Sequence, residues 1–464
     1  MNEPQDPEAP HAIEAMAAWC ASPHVFGVAA RHSAEQAITD TMGCMLAGAA
    51  DSATRSVRAA FAREIGPNGA VGIVGGGRAS ASLAALVNGT AAHALDFDDN
   101  FHGATTHASA VLVPALLAVA ESIGAGGKAL VEAYLVGLEV QAAVGGGVNP
   151  SHYTAGWHST STVGCIGTAA ATAWLMGADQ SGIAAAMSIA TSMASGVKGQ
   201  FGTPVKPLHA GLAARNAVEA AQLSAAGLAG RTDILESSQG FLKLYGGPTP
   251  PGWSQLAIGP ASIIETVGLA TKRHPCCGST HRAIDMMLDL KAEHGFRAED
   301  VAGMEVVVAI AHARNLAFPS PRDEMEARFS MNYCLAVALL HDRLTLGDFT
   351  PAAVMRPDVR ALLPLTRMTT YSEDYERVTP GRLPHELTLR LRDGTQLRAS
   401  RVAAKGTLAF PLNEADRQNK FFDCAARAIS LPTAQQLFSR MSHLQSLGRV
   451  NLLQDVDWTR TICP

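Results

Sequence analysis

The chain has 464 residues, 47% of them hydrophobic and 17% charged, with a formal net charge of -5. That is enough apolar matter for a large core and too little charge for a disordered chain, and the length predicts two or three domains. The acidic balance argues against a general nucleic-acid or membrane-surface binder. Aromatic residues are only 5%, whereas glycine and alanine are abundant, which favours closely packed helices over an aromatic-rich sandwich. The eight cysteines (Cys20, Cys44, Cys165, Cys276, Cys277, Cys334, Cys424 and Cys463) form no CxxC pair, so neither a zinc ribbon nor a disulfide framework is expected.

The first ten residues read as a loose polar tail without the basic-then-apolar order of a signal peptide. No apolar run reaches the ~18 residues of a membrane span without charge or Pro/Gly interruption, and a cytoplasmic protein is expected. From residue 12 to about 259 the pattern is helical almost throughout. Ala-rich stretches at 39–48, 80–94, 108–123, 128–144, 162–176, 182–195 and 211–226 are separated by Gly, Pro, Asn or Asp. Several are apolar on most faces and therefore predict helices buried among helices. Gly177 and Gly227 or Gly230 are expected helix stops.

The texture changes after Pro260. Residues 304–311, MEVVVAIA, predict a strand. Residues 386–402 alternate on both sides of Asp393-Gly394 and predict a hairpin. Helical segments are expected at 325–340 and 351–363, and a last one at 413–447 is expected to pack back onto the first domain. The fold class is therefore mainly α: a large helical domain over residues 1–261 and 405–464, and a smaller α+β domain over 262–404.

Four segments concentrate chemistry. His93-Ala-Leu-Asp96-Phe-Asp98-Asp99-Asn100-Phe-His102-Gly-Ala-Thr-Thr-His107 places three acids and three histidines within fifteen residues of an apolar region. Asp98 or Asp99 alone reads as a helix cap, but burying so many titratable groups is costly unless they are paired or functional. The turn from His152 through Gly156, Trp157, His158, Ser159, Thr160 and Thr162 precedes an Ala-rich helix, whose free N–H groups favour an anion. In Gly199-Gln-Phe-Gly-Thr203-Pro-Val-Lys206-Pro-Leu-His209, prolines stiffen a loop around Lys206. That lysine reads either as an exposed loop residue or as a substrate clamp. The fourth segment, Lys272 to His281, holds two cations, two histidines and the Cys276-Cys277 pair. Its thiols read as small buried groups or as a nucleophile with a histidine partner, with cation-site chemistry preferred.

In order and spacing these segments resemble the MmgE/PrpD family. HALDFDDNFHGATTHASA looks like its first signature, and GWHSTSTVG is similar to its GFHPTGTHG-like turn. FGTPVKPLHAG is similar to an FGTMTKPLHAG-like loop, and KRHPCCGSTHRAID to a KPYPCCRYTHPAID-like segment. EARFSMNYCLAVALL and NKFFDC extend the likeness over nearly the whole chain. The resemblance implies a helical large domain, an α+β lid domain, a homodimer, an active site in the cleft between domains, and no metal or organic cofactor. It implies 2-methylcitrate dehydratase, cis-aconitate decarboxylase or iminodisuccinate epimerase chemistry on a small carboxylic acid, with no nucleic acid or membrane partner. Carried over position by position, Asp96, His107, His158, Lys206 and Lys272 are the expected catalytic residues. Asn100, His102, Ser159, Thr160, Thr203, His209 and Cys277 are the expected substrate contacts. The chain departs from the family at Asn100, where Thr is usual, by one extra residue between His102 and His107, and at Ser159, where Pro is frequent. Cys277 stands where decarboxylase members carry histidine, while the GWHSTST form is nearest to epimerase-like members.

All three chemistries build negative charge next to a carboxylate, which fixed cations in a partly dry cleft stabilise better than water does. Lys206 and Lys272 suit the carboxylates, His107 and His158 suit proton transfer, and Asp96 suits orienting a partner or acting as base. Dehydration of a 2-methylcitrate-like hydroxy acid is the expected reaction, ahead of decarboxylation and epimerisation. Two other readings are a metallohydrolase on His93, Asp96, Asp98, His102 and His107, and a non-catalytic carboxylate-binding protein.

Overall fold

The computed structural model describes residues 10–259 and 261–458. The tail predicted at 1–10, apart from its last residue, and Cys463 lie outside them. The chain divides into two compact units: residues 1–94, 98–269 and 424–464, and residues 95–97 and 270–423. This division places 262–269 with the helical unit and 405–423 with the α+β unit, different boundaries from those expected at 262 and 404.

The first unit is a helical bundle. Its long members are Val28–Gly48, Ala81–His93, Ala108–Ile123, Gly127–Val148, Ser159–Leu175, Gln180–Met193 and Val205–Ala225. Helix Ala81–His93 is buried at every residue but one, which is why its sequence shows no amphipathic stripe. Beyond the helices, residues 71–72 and 78–79 form a two-residue antiparallel pair, and most of 226–262 is irregular. Gly177 and Gly227 do end helices, with φ of 81° and 94°, a region an L side chain rarely adopts. By length and composition Gly127–Val148 could cross a membrane, but 72% of its apolar window is buried inside the unit.

Small residues set the helix spacing that the chemistry needs. A methyl group added at Gly211 would lie 2.2 Å from Thr90 Oγ1 and 2.4 Å from the Leu86 carbonyl oxygen. Helices Ala81–His93 and Val205–Ala225 therefore touch backbone to backbone. The first ends at His93 and the second begins with Lys206 and His209. Gly211→Ala is expected to force the helices apart and to cost about 1–3 kcal/mol or more. Urea unfolding checks this, with activity falling more than stability alone explains.

The second unit has a four-stranded sheet: β1 (Val301–Val308), β2 (Thr366–Thr370), β3 (His385–Leu391) and β4 (Gln396–Arg401). The order is β2-β1-β3-β4, with β1 and β2 parallel and the other neighbours antiparallel. The expected hairpin is present, and Gly394 turns it at φ 92°. Val306, Val308, Leu387 and Leu389 point into a core shared with Ile284 and Met287 of helix Gly278–His294 and with Leu335 of helix Met331–Leu340. The helix predicted over 325–340 is two helices, because Ser330 caps the second by accepting from the Tyr333 N–H. The segment 413–447 likewise splits into Glu414–Ala425 and Leu431–Met441, with Ser430 as cap and Pro432 in the first turn. The strand predicted at 304–311 starts earlier and ends at Val308, where helix Ile310–Asn315 follows.

Candidate active site

Three helices of the first unit begin at one buried cluster. His107 is the N-cap of Ala108–Ile123, His158 is the N-cap of Ser159–Leu175, and Lys206 lies in the first turn of Val205–Ala225. The His107 backbone N–H donates to Thr160 Oγ1 at 3.0 Å, tying the first two starts together. Unsatisfied N–H groups and the partial positive charge of each helix start favour an anion here.

At the centre is Asp98, fully buried. His93 Nδ1 lies 2.9 Å and His107 Nδ1 3.0 Å from the same carboxylate oxygen, Oδ2. Burial alone would push the Asp98 carboxyl up, but the two imidazoles reverse this and hold it well below the usual carboxylate range. The ionised carboxylate hydrogen-bonds to His93 and fixes its Nδ1 tautomer, and it faces His107 at ion-pair distance, where Nδ1 makes no hydrogen bond. His93 Nε2 and Asp98 Oδ1 are buried without a hydrogen-bond partner. Burial, reinforced by Lys206 and His107, pushes His93 down to about 4, so it is neutral at pH 7.

A second imidazole pair adjoins the first. His158 Nδ1 is 3.1 Å from His209 Nδ1, and the His158 ring stacks 5.8 Å from that of His93. Burial pushes His158 well down and His209 to about 4, and in both cases His93 and Lys206 add to the effect. One Nδ1 must donate and the other accept. In the neutral pair the donor ring then has a bare Nε2 and the acceptor ring an Nε2–H. The couple offers one base and one acid. Lys206 is itself buried, with its Nζ 5.4 Å from the Phe201 ring centroid, a cation–π distance. It is neither a loop residue nor exposed.

The second unit holds its own charged pair. Lys272 Nζ is 3.0 Å from Asp96 Oδ2 and donates to the Asp96 carbonyl at 2.6 Å. Asp96 has φ of 53°, the left-handed region uncommon for a residue with a side chain. Lys420 Nζ holds the next carbonyl, that of Phe97, at 2.8 Å. Cys277 is buried, and its thiol is pushed up first by burial and then by Asp96, which leaves it protonated rather than a nucleophile.

The expected residues thus fall into distinct places. His107, His158, His209, Thr160 and Lys206 gather in the first unit, and Asp96, Lys272 and Cys277 in the second. Ser159 is buried and donates to Asn149 Oδ1, whereas Thr203 bonds locally to Gln200. Asn100 is half-buried and His102 is exposed, so His102 does not join the buried histidines. Asp98 and His93, expected at the site only as ligands in the metallohydrolase reading, lie at the centre of this cluster. The cap reading fits their neighbour: Asp99 accepts from the Ser109 N–H at the start of Ala108–Ile123. His93, Asp98 and His107 offer ligand atoms within 4.8 Å of one another, close enough for a metal ion. However, both Nδ1 atoms already face one carboxylate oxygen, and Lys206 places positive charge near the His93 ring.

The MmgE/PrpD N-terminal domain matches residues 14–254 and the MmgE/PrpD C-terminal domain residues 274–444. The chain belongs to the MmgE/PrpD family. It is 30% identical over 391 residues to human cis-aconitate decarboxylase, covering 80% of this chain and 78% of the relative. The mouse cis-aconitate decarboxylase is 29% identical over 80% of this chain and 77% of its own length. The Aspergillus terreus cis-aconitate decarboxylase is 27% identical over 74% of each.

The neutral imidazoles have a consequence for stability. His93, His152 and His209 are held near 4 and His158 well below its ordinary value, all first by burial, against 6.5 when unfolded. Between these values the unfolded chain binds more protons, so stability falls as pH drops from about 6.5 towards 4. Asp99 works in the opposite sense. Burial raises it to about 7, so its contribution is present at low pH and is lost as pH rises through 7. The four imidazoles outweigh Asp99 and Glu139, which burial also raises, and the melting temperature is expected to fall steeply below pH 6. Thermal melts from pH 8 to 4 check this; a Tm that is flat or rises on acidification contradicts it.

Proposed function

We propose that this chain, a lyase of the MmgE/PrpD family, removes CO2 from a small unsaturated tricarboxylate of the cis-aconitate type without a metal or organic cofactor. The observation that carries this reading is the hydrogen-bonded His158–His209 couple beside Lys206, in a chain whose matched relatives are cis-aconitate decarboxylases. Loss of CO2 leaves an electron pair delocalised between carbon and the remaining carboxylate. Lys206 and the converging helix starts stabilise that charge in a site from which most water is excluded. The carbanion then needs one proton. A polyanionic substrate raises the affinity of the neighbouring imidazoles for protons, so one member of the couple arrives charged and delivers it. Asp98 holds His93 and His107 in fixed orientation throughout.

One observation favours dehydration of a hydroxy acid as a second reading. Cys277, at the position where the resemblance expects a histidine in decarboxylases, is a buried neutral thiol and a poor proton donor. Proton NMR in D2O with cis-aconitate, 2-methylcitrate, citrate and iminodisuccinate separates the chemistries. The proposal predicts consumption of cis-aconitate, with CO2 release and deuterium in a new unsaturated diacid. An alkene signal growing only from a hydroxy acid supports the hydro-lyase, and deuterium exchange without net conversion supports an epimerase. Either of these, with cis-aconitate unchanged, overturns the decarboxylase reading.

A further inference from the structure

The second unit contains a buried positive cluster that none of the chemistry above uses. Arg282, in helix Gly278–His294, is 2% exposed, and no carboxylate pairs with it among the described residues. Its NH1 donates to the Leu383 carbonyl at 2.8 Å, and its NH2 lies 3.1 Å from His312 Nε2. His312 Nδ1 is in turn 2.9 Å from Ser279 Oγ. That chain of contacts assigns the roles: Nε2 of His312 accepts from the guanidinium, so Nδ1 carries the proton and donates to the serine. A guanidinium has five N–H donors in a fork, so three remain after these two bonds.

His385 lies in the same place. It opens β3, is fully buried, and packs edge-on to His312 with ring centroids 4.9 Å apart. Both of its ring nitrogens are sealed from solvent and have no hydrogen-bond partner. Leaving a buried donor and a buried acceptor unmade on one ring costs the desolvation of both with nothing in return. Arg382, on the exposed stretch just before β3, adds a second positive charge felt by both Arg282 and His385. Burial and this like charge push Arg282 down to about 10, a cost that a bound anion removes. Tyr371 acts in the opposite direction on Arg282, but its hydroxyl donates to Glu386 Oε1 at 2.8 Å.

Buried charges in proteins are paired, and buried polar nitrogens are hydrogen-bonded. This cluster satisfies neither rule with protein groups. We propose that Arg282, His385 and His312, with Arg382 at the mouth, form a binding site in the second unit for a small oxyanion, a phosphate or a carboxylate. The fork of Arg282 receives two oxygens, and His385 turns an N–H towards the anion. Ser279 links His312 to Cys277, whose thiol feels Asp96 and Lys272, but the donors of this cluster are its own, and binding to them does not depend on which lyase reaction the protein performs.

Calorimetric titration of the full chain with inorganic phosphate, and separately with succinate, tests the proposal. Wild type is expected to bind one equivalent of at least one of the two, and the anion that binds identifies the source. Affinity is expected to fall about tenfold or more in Arg282→Gln. Arg382→Gln, at an exposed position where folding is not at risk, is expected to weaken binding severalfold. Lys206→Ala is expected to leave this binding in place, because Lys206 belongs to the other unit. Binding of neither anion to wild type overturns the proposal. So does affinity unchanged in Arg382→Gln and in a folded Arg282→Gln, or binding that is lost in Lys206→Ala and kept in the arginine variants.

Discussion

Lys206→Met is expected to lower kcat/KM on the order of 10²–10³-fold, the usual cost of removing one preorganised positive group from a site where negative charge develops. The same change has a second, independent signature. Lys206 helps hold His93, His158 and His209 below their ordinary range, so its removal lets all three rise. The acidic limb of the pH–rate profile therefore moves to higher pH. A lysine that only fills space would change the rate without moving that limb. Methionine keeps most of the volume and the contact with Phe201, so the fold is expected to survive. Steady-state kinetics from pH 5 to 9 give both readouts, and a profile unchanged in height and position contradicts the role.

Asp98→Asn is expected to be at least as damaging, with kcat lower on the order of 10³-fold and KM little changed. The substitution is nearly isosteric but alters the hydrogen bonding. Both rings face one oxygen, Oδ2, and His93 Nδ1 hydrogen-bonds to it; an amide keeps an acceptor there but loses the negative charge and puts an NH2 in place of the buried, unpartnered Oδ1. The amide also lacks the charge that favours the protonated form of His93. The prediction is an ordered protein that binds substrate and turns it over poorly. NMR of the histidine ring nitrogens follows the titration of His93 directly, and wild-type kcat with an unchanged His93 titration contradicts the account.

The contrast between Asp98 and His158 shows what was legible in the sequence. His158 precedes a hydroxyl-rich turn and a long Ala-rich helix, so its place at a helix start follows from local pattern alone. The same holds for His107 and the helix it caps. Asp98 was not legible, because an acid shortly before a helix reads first as a cap. The residue that takes the cap role is Asp99, one position on. His93, Asp98 and His107 share no helical or strand period. They meet because the chain between them turns through left-handed backbone at Asp96 and Thr105, neither a glycine, so nothing in the composition announces the turn. Lys206 was placed in a loop, whereas it lies in the first turn of a helix. Pro204 sits at its N-cap and Pro207 within its first turn, positions where the missing N–H costs nothing, so the prolines start the helix rather than preclude it.

The fold was legible at the level of texture. Helices apolar on all faces marked the first unit, and β-branched alternation around Asp393-Gly394 marked the sheet of the second. The misplaced boundaries have a physical origin in caps. Ser330 and Ser430 each begin a new helix inside a stretch whose apolar periodicity continues across the break. Arg282 was hidden for a related reason. A lone arginine in an amphipathic helix reads as its solvent face, and only tertiary structure shows it enclosed by His312, Leu383 and β3.

The most direct test of the central claim is release of labelled CO2 from cis-aconitate carrying ¹³C in its carboxyl groups, followed by mass spectrometry with wild type and with Asp98→Asn. The account predicts one CO2 per substrate consumed by wild type, one new unsaturated diacid, and a rate on the order of 10³-fold lower in the variant. No labelled CO2 from a folded wild-type protein that dehydrates 2-methylcitrate under the same conditions would contradict it.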